Sequence, residues 1–167
     1  MLNSLHIVVE SQENKLDMKW SIYLAGEIHS DWRNEVEKAA EKKSLNVQFY
    51  GPVTDHPASD NCGIHILGDE DDSFWKDRKG AGLNAIRTRT LLDKADLVVV
   101  KFGEKYRQWN AAFDAGYASA LSKPLIIVHP EEFDHALKEV DEAANAVARN
   151  QHQLVEILEY VTEGRLS

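Results

Sequence analysis

The stretch that most constrains the fold runs from Ala95 to Val128. It contains an apolar run from Leu97 to Phe102, a segment of mostly small residues from Ala111 to Leu121, and a second apolar run from Pro124 to Val128. Continuous apolar runs are typical of buried parallel strands, and two parallel strands need a crossover helix between them. This stretch therefore predicts an α/β fold built on a parallel sheet.

The same alternation extends through the rest of the chain. Further strands are predicted at Trp20–Leu24, Val47–Tyr50 and Asn145–Ala148, and further helices at Asp31–Lys43, Phe74–Ala95, Glu131–Ala144 and Gln151–Val161. Asn150 is predicted to cap the last helix, which Gly164 ends, and Thr54–Ser73 is predicted as a long irregular loop, either a lid or disordered. We expect a single flavodoxin-like or Rossmann-like domain, with a four- to five-stranded parallel sheet flanked by helices.

Length and composition limit the class of protein. At 167 residues the chain suits one domain, which we place at residues 18–167 after a dispensable extension at 1–17. A single cysteine, and no apolar run approaching ~20 residues, predict a cytoplasmic protein without disulfides or membrane spans. The net charge of −9 argues against binding a nucleic-acid polymer. The histidines have no metal-binding spacing, so neither a metal nor another cofactor is expected.

Asp114 is the most informative polar residue, because it stands near the start of the helix after the third predicted strand. Ligands bind at that edge in open parallel sheets. With Asn110 as the helix cap, Asp114 shares a helix face with Asn110 and Tyr117. The carboxylate is either a solvated partner of the helix dipole or a group that meets a substrate. Phe113 and Gly116 favour the second interpretation, because glycine costs ~1 kcal/mol in a helix unless close packing requires it.

Three more polar groups flank predicted element ends. The loop from Tyr106 to Asn110 offers side chains that can stack on and hydrogen-bond a heterocycle. The turn from Gly26 to Arg33 has one glycine, so it matches neither a dinucleotide-binding fingerprint nor a P-loop. Ser30 or Asp31 can cap the helix that follows, and the free N–H groups of that helix would bind an anion or a sugar hydroxyl. In the stretch from Asn84 to Arg89, one arginine can grip a phosphate or carboxylate. The alternative for the turn from Gly26 to Arg33 is an ordinary capped helix with an exposed Arg33. The alternative for the stretch from Asn84 to Arg89 is a solvated charged helix.

Several motifs occur together: Tyr23-Leu-Ala-Gly26, Gly26-Glu-Ile-His-Ser-Asp-Trp-Arg33, Asn84-Ala-Ile-Arg-Thr-Arg89, Ala95-Asp-Leu-Val-Val99, Phe113-Asp-Ala-Gly-Tyr-Ala118 and Lys123-Pro-Leu-Ile-Ile127. Over residues 18–164 the chain resembles the YtoQ family of the nucleoside 2-deoxyribosyltransferase superfamily. The resemblance implies a five-stranded parallel sheet and an enzyme that cleaves or exchanges the N-glycosidic bond of a small-molecule nucleoside or nucleotide. It also implies a homodimer or a larger homo-oligomer.

The resemblance places the superfamily's nucleophile, a glutamate, at Asp114. Aspartate is one methylene shorter, which moves the carboxylate by ~1.5 Å, and misplacement on that scale can cost ~100-fold in rate. The superfamily's second acid, six residues earlier, is replaced by Gln108, which has no titratable proton to donate. Glu27, Glu104 and Asp93 are the candidates to take over that role.

The remaining carry-over concerns substrate binding. Tyr23 and Gly26 match the strand end that approaches the sugar, and Ser30 and Arg33 are placed to hold a 5′-hydroxyl or 5′-phosphate. The full expected site has Asp114 and Glu27 as catalytic residues, and Tyr23, Gly26, Ser30, Arg33, Arg87, Gln108, Asn110 and Tyr117 as substrate-binding residues. The alternatives are a nucleotide-binding or sensing protein that kept the pocket and lost the chemistry, and an interaction scaffold that neither binds such ligands nor turns them over.

Overall fold

Five parallel strands form one sheet in the order β2-β1-β3-β4-β5, in a computed structural model that describes residues 18–105 and 108–166. The strands are β1 (Trp20–Gly26), β2 (Val47–Tyr50), β3 (Leu97–Lys101), β4 (Leu125–Val128) and β5 (Ala146–Ala148). The helices are α1 (Trp32–Lys42), α2 (His56–Leu67), α3 (Ser73–Lys94), α4 (Trp109–Ala120), α5 (Asp134–Glu142) and α6 (Gln151–Glu163), with a 3₁₀ turn at Glu131–Phe133. The flavodoxin-like strand order confirms the predicted fold class. The predicted extension at 1–17 lies outside the described residues.

Both faces of the sheet are covered, because successive strand residues point in opposite directions. Ile22 and Leu24 of β1 belong to one apolar core, which α1 and α6 cover. Tyr23 and Ala25 belong to the other, which α3, α4 and α5 cover. The central strands are therefore buried on both sides, which explains why their sequences are continuously apolar.

The ends of α6 form as the sequence predicts. The Asn150 side chain accepts a hydrogen bond from the Gln153 amide at 2.9 Å, and Gly164 ends the helix with a left-handed φ of 68°.

No helix in the described ranges is both long enough and apolar enough to cross a membrane.

The predicted loop at Thr54–Ser73 is wrong, because its central part forms α2. Asp55 caps this helix by accepting a hydrogen bond from the Ala58 amide at 2.8 Å, and Pro57 occupies its first turn. The helix packs mainly on α3, where Gly63 lies directly against Gly80. Its small and polar composition hides the helical periodicity that would have indicated it.

The contact between α2 and α3 makes a direct prediction about Gly63. A Cβ at Gly63 would lie 2.3 Å from the Gly80 backbone nitrogen, so Gly63→Ala should destabilise the protein by about 1–3 kcal/mol through overpacking. Gly82→Ala is the matched control, since its Cβ would meet only Arg78 Nη1, at 4.0 Å. That substitution should stabilise the protein by about 0.5–1 kcal/mol, because alanine favours a helix interior. Urea unfolding of both variants tests this packing, and equal effects would contradict it.

Candidate active site

The core of the predicted site lies at the carboxyl edge of β1 and β3, beneath α4. Tyr23 is fully buried on β1, and its hydroxyl lies 3.5 Å from Thr88 Oγ1 on α3. Burial raises the pKa of Tyr23, and the nearby negative charge of Asp114 adds to this effect. A strand residue and a helix residue thus meet where the sequence analysis expected a sugar to bind.

Asp114 is largely shielded from water, and its titration reflects this. Burial raises the pKa of Asp114 from 3.8 to about 6, and the positive charge of Arg33 partly opposes the shift. The predicted cap at Asn110 is wrong, because α4 begins at Trp109 after Gln108, which adopts a left-handed φ of 51°. Asp114 therefore lies in the second helical turn, where the helix dipole contributes little. The interpretation of Asp114 as a solvated dipole partner is not supported.

The glycine near Asp114 does not have the packing role that the sequence suggested. A Cβ added at Gly116 would meet no atom within 4 Å, and the residue is exposed. The close approach of α4 to the sheet comes instead from three buried alanines, Ala111, Ala115 and Ala118. Their small side chains let the Asp114 backbone lie near the strand ends.

The turn after β1 is built around the buried carboxylate of Glu27, which is only 5% exposed. Its two oxygens accept hydrogen bonds from the His29 amide and the Ser30 hydroxyl. Gly26 precedes it with a φ of +91°, and a Cβ there would lie 2.1 Å from the Lys101 carbonyl oxygen. The turn can therefore close only with glycine at position 26.

The charge state of Glu27 follows from these contacts. Burial opposes ionisation, but the Ser30 and His29 hydrogen bonds and the Lys101 ammonium outweigh it, so the pKa of Glu27 lies below its ordinary value. Glu27 is ionised at neutral pH and acts as a hydrogen-bond acceptor. This arrangement disfavours the predicted role of Glu27 as the donor of a proton to the leaving base. It also engages the Ser30 hydroxyl, while Asp31 occupies the cap position of α1 without a side-chain cap bond.

Arg33 is not the exposed arginine that the simpler alternative predicts. Its Nε donates to the Leu24 carbonyl at 3.0 Å, Nη1 to the Glu27 carbonyl at 2.6 Å, and Nη2 to the Gly26 carbonyl at 3.2 Å. The guanidinium also stacks on Trp32, 4.6 Å from the ring centre. Burial lowers the pKa of Arg33 to about 10, so it stays charged at neutral pH and acts electrostatically on Asp114.

The other predicted binding residues lie on α3, on α4 and just before α4. Arg87 Nη2 lies 3.5 Å from the Gly51 carbonyl, at the wall of an open cleft of about 460 Å³. Asn110 and Tyr117 lie one turn before and one turn after Asp114 on α4, and Tyr117 lies 5.9 Å below the Arg89 guanidinium. Gln108 donates to the Lys105 carbonyl at 2.6 Å and lines a separate cavity of about 220 Å³.

The two cavities have different walls, and neither includes Asp114. The larger is lined by Ile28, Ser30, Asp31, Arg33, Asn34, Glu37, Phe49, Tyr50, Gly51, Pro52, Thr54 and Arg87. The smaller is lined by Phe102, Gly103, Glu104, Gln108, Phe133, Ala136 and Leu137. Arg33 and Arg87 line the larger cleft, both act electrostatically on Tyr23, and Arg33 also acts on Asp114, so the larger cleft is the one whose charged wall reaches the Asp114 site. Tyr106 and Arg107, which the sequence analysis expected to contact a heterocycle, lie outside the described residues.

Two residues of this site escaped the sequence analysis. Lys101 ends β3, and its ammonium lies 5.6 Å from the Trp32 ring while its charge favours ionised Glu27. Gly103 follows two residues later, and a Cβ there would lie 2.3 Å from Glu27 Cγ. A glycine just past a strand end was the available signal for this close approach.

One cluster in the described part of the chain has the donor atoms for a metal ion: His129, Asp134 and Asp141. Its groups also pair with protein partners. His129 Nε2 lies 3.0 Å from Asp141 Oδ1, His129 Nδ1 lies 2.8 Å from the Pro130 carbonyl, and Arg149 pairs with Asp134. Since both imidazole nitrogens face acceptors, the cluster is a hydrogen-bonded network that joins β4 to α5.

Comparison with known proteins supports both the fold and the family resemblance of the sequence motifs. The family model described as "Nucleoside 2-deoxyribosyltransferase YtoQ" matches residues 23–162. The Bacillus subtilis (strain 168) protein described as "Uncharacterized protein YtoQ" is 44% identical over 146 residues, covering 87% of this chain and 99% of the relative.

Solved structures resemble the chain mainly in fold. The crystal structure of a conserved protein from Enterococcus faecalis has a TM-score of 0.59 and 14% identity, covering 86% of this chain and 99% of that one. The structure of a 2-deoxyribosyltransferase from Bacillus psychrosaccharolyticus has a TM-score of 0.49 and 15% identity, covering 81% of this chain and 90% of that one. The first of these likenesses supports the fold and not the chemistry.

The burial of the Asp114 carboxylate predicts that this residue lowers the stability of the folded protein at neutral and higher pH. Because its pKa is raised from 3.8 to about 6, the native state retains a proton that the unfolded chain has released, and stability falls as pH rises through that window. Asp114→Asn should therefore be more stable than the wild type by about 1–3 kcal/mol at pH 8, and this difference should shrink by more than half near pH 4.5. Urea unfolding at both pH values measures it.

Asp77→Asn is the control, because Asp77 is an exposed carboxylate on α3. It should show no such pH-dependent gain. A wild type that is as stable as Asp114→Asn at pH 8 would contradict the burial of the Asp114 charge.

Proposed function

Because this chain belongs to the nucleoside 2-deoxyribosyltransferase YtoQ family, we propose that it acts on the N-glycosidic bond of a nucleoside or nucleotide, by hydrolysis or by base exchange. The Asp114 carboxylate is the nucleophile, or the group that stabilises positive charge on the sugar. One arrangement carries the proposal: the shielded Asp114 carboxylate, on the helix that follows β3, interacts electrostatically with Tyr23 and Arg33 at the edge where parallel sheets bind ligands, and burial raises its pKa to about 6.

The environment of Asp114 suits attack on an anomeric carbon. A pKa of about 6 leaves the carboxylate ionised at neutral pH while making it more basic than an ordinary aspartate. Partial burial also strengthens its attraction to the cationic sugar that forms as the base departs. The positive charge of Arg33 partly offsets the effect of that burial and favours the ionised carboxylate.

The short side chain is compatible with this role because of how α4 packs. Aspartate reaches one methylene less far than the superfamily's glutamate. The alanines on the buried face of α4, Ala111, Ala115 and Ala118, allow the helix to lie close to β1 and β3. We propose that this close packing brings the Asp114 carboxylate to the position that a glutamate would reach from a more distant helix.

The other residues divide between organising the site and binding substrate. Glu27, Ser30 and Arg33 hold the turn after β1, since their polar atoms are engaged within it. Arg87 lines the cleft and is the arginine available at its wall for a sugar hydroxyl or a 5′-phosphate. Tyr23 is fully buried and supports the site from the strand side.

A second candidate function is the binding or sensing of the same ligands without chemistry. The ionised state of Glu27 favours it, because Gln108 also lacks a proton to give and a poor leaving base needs one. Such a protein would be stabilised by nucleosides or nucleotides without turning them over.

The remaining expectations stay predictions. They are a cytoplasmic location, a homodimer or larger homo-oligomer, no cofactor, no membrane or nucleic-acid partner, and a dispensable extension at 1–17.

The test of Asp114 is a turnover assay on a panel of nucleosides and nucleoside monophosphates, in ribo and 2′-deoxyribo forms. The wild type should release free base, and Asp114→Ala should lower the rate on the order of 10³-fold or more, because the attacking group is lost. Mass spectrometry of the quenched wild-type enzyme should find a glycosyl ester at Asp114.

Asp77→Asn serves again as the exposed carboxylate control and should retain the wild-type rate. Ligand-dependent thermal stabilisation without any release of base would support the binding protein instead. Base release that Asp114→Ala leaves unchanged would refute the assignment of the nucleophile.

A further inference from the structure

We propose that the paired imidazoles of His29 and His56 supply the proton to the departing base. This inference rests on the proposed function, because it concerns the second half of the same bond cleavage. It names the residues that replace the acid which this chain lacks at Gln108.

The chemistry needs a proton donor that neither Gln108 nor Glu27 provides. When the C1′–N bond breaks, its electron pair goes to the base, and an unprotonated purine or pyrimidine anion leaves poorly. Gln108 has no titratable proton, and the Glu27 carboxylate accepts two hydrogen bonds within its own turn. Imidazole is the side chain best suited to give up a proton near neutral pH.

His29 and His56 come from separate elements and meet face to face. His29 lies in the turn after β1, and His56 is the first residue of α2. Their ring centres are 4.9 Å apart with an angle of 18° between the planes, and His56 Nε2 lies 3.3 Å from His29 Nδ1. A hydrogen bond between two ring nitrogens requires that one of them carries the proton.

A carboxylate stands behind this pair. Asp60 Oδ2 lies 3.9 Å from His56 Nδ1, one turn further along α2. Asp60, His56 and His29 thus follow one another in the order carboxylate, imidazole, imidazole. At 3.9 Å the Asp60 carboxylate is placed to pair with a charged His56 but is too far away to accept a hydrogen bond from it.

The pair also stands beside the cleft that we assign to the substrate. Ile28 and Ser30, the neighbours of His29 in the chain, both line the cleft, as does Thr54 shortly before His56. Arg33 lines the same cleft and acts electrostatically on Asp114. The proposal places the sugar of a nucleoside at Asp114 and its base towards the chain segments that flank the cleft and carry the two imidazoles.

The reaction balances in two steps. In the first, an Asp114 oxygen forms a bond to C1′, the C1′–N bond breaks with its electron pair on the base, and the base takes a proton from the imidazole pair. In the second, water attacks C1′, the ester electrons return to the Asp114 carboxylate, and the proton released by water restores the pair. Replacing water with an acceptor base gives exchange instead of hydrolysis.

Matched substrates separate proton donation from a structural role. The substrates are guanosine and 2′-deoxyguanosine, each compared with its 7-methyl derivative. The 7-methylated base already carries a positive charge before the bond breaks, so it leaves without a further proton. His29→Gln and His56→Gln should each lower kcat/KM about 100-fold on guanosine nucleosides and leave it unchanged on the 7-methyl nucleosides. Asp114→Asn should lower it on both.

His152→Gln is the control, because His152 is an exposed histidine on α6, and it should change neither rate. Thermal unfolding of each variant checks its folding. Equal losses on both substrates in His29→Gln and His56→Gln, or no loss on either, would overturn proton donation while leaving Asp114 as the nucleophile. A wild type that cleaves no guanosine nucleoside overturns this inference, whereas one that cleaves nothing in the wider panel overturns the proposed function as well.

Discussion

The buried, ionised carboxylate of Glu27 is the constraint on which the site depends. It ties together the turn after β1 by accepting hydrogen bonds from His29 and Ser30. The backbone of the same residue donates to Lys101 at 2.9 Å and accepts from Arg33 at 2.6 Å. Breaking any of these would leave a shielded charge or carbonyl without its partner, which is costly in a protein interior. The turn therefore has one closed geometry.

That geometry determines where the reactive groups stand. Arg33 is held by three carbonyl groups of β1 and its turn, and its charge partly opposes the rise that burial causes in the pKa of Asp114. The same turn brings the His29 ring against the His56 ring. One short segment thus positions the counter-charge and one imidazole of the pair, and α4, through a face of alanines, positions Asp114, the proposed nucleophile.

The sequence predicted the fold well because its strongest signals are local. The apolar runs of β3 and β4 are long enough to be recognised as buried strands, and Asn150 caps α6 through an amide three residues away. Helix α2 was missed because its burial is slight and its apolar residues do not follow a helical period, although Asp55 and Pro57 were the helix-start signals present. Asp114 and its neighbours could be placed near a sheet edge by topology and resemblance. The roles of Arg33 and Glu27 could not, since they depend on contacts that the turn creates only once folded.

The most direct measurement is a crystal structure of Asp114→Asn with a bound nucleoside substrate. The account predicts that the anomeric carbon lies about 3–3.5 Å from an atom of the residue 114 side chain, with the sugar beside Tyr23 and the base towards His29. A nucleoside that binds in the cleft with its anomeric carbon well beyond reach of residue 114 would contradict the account, whatever its affinity.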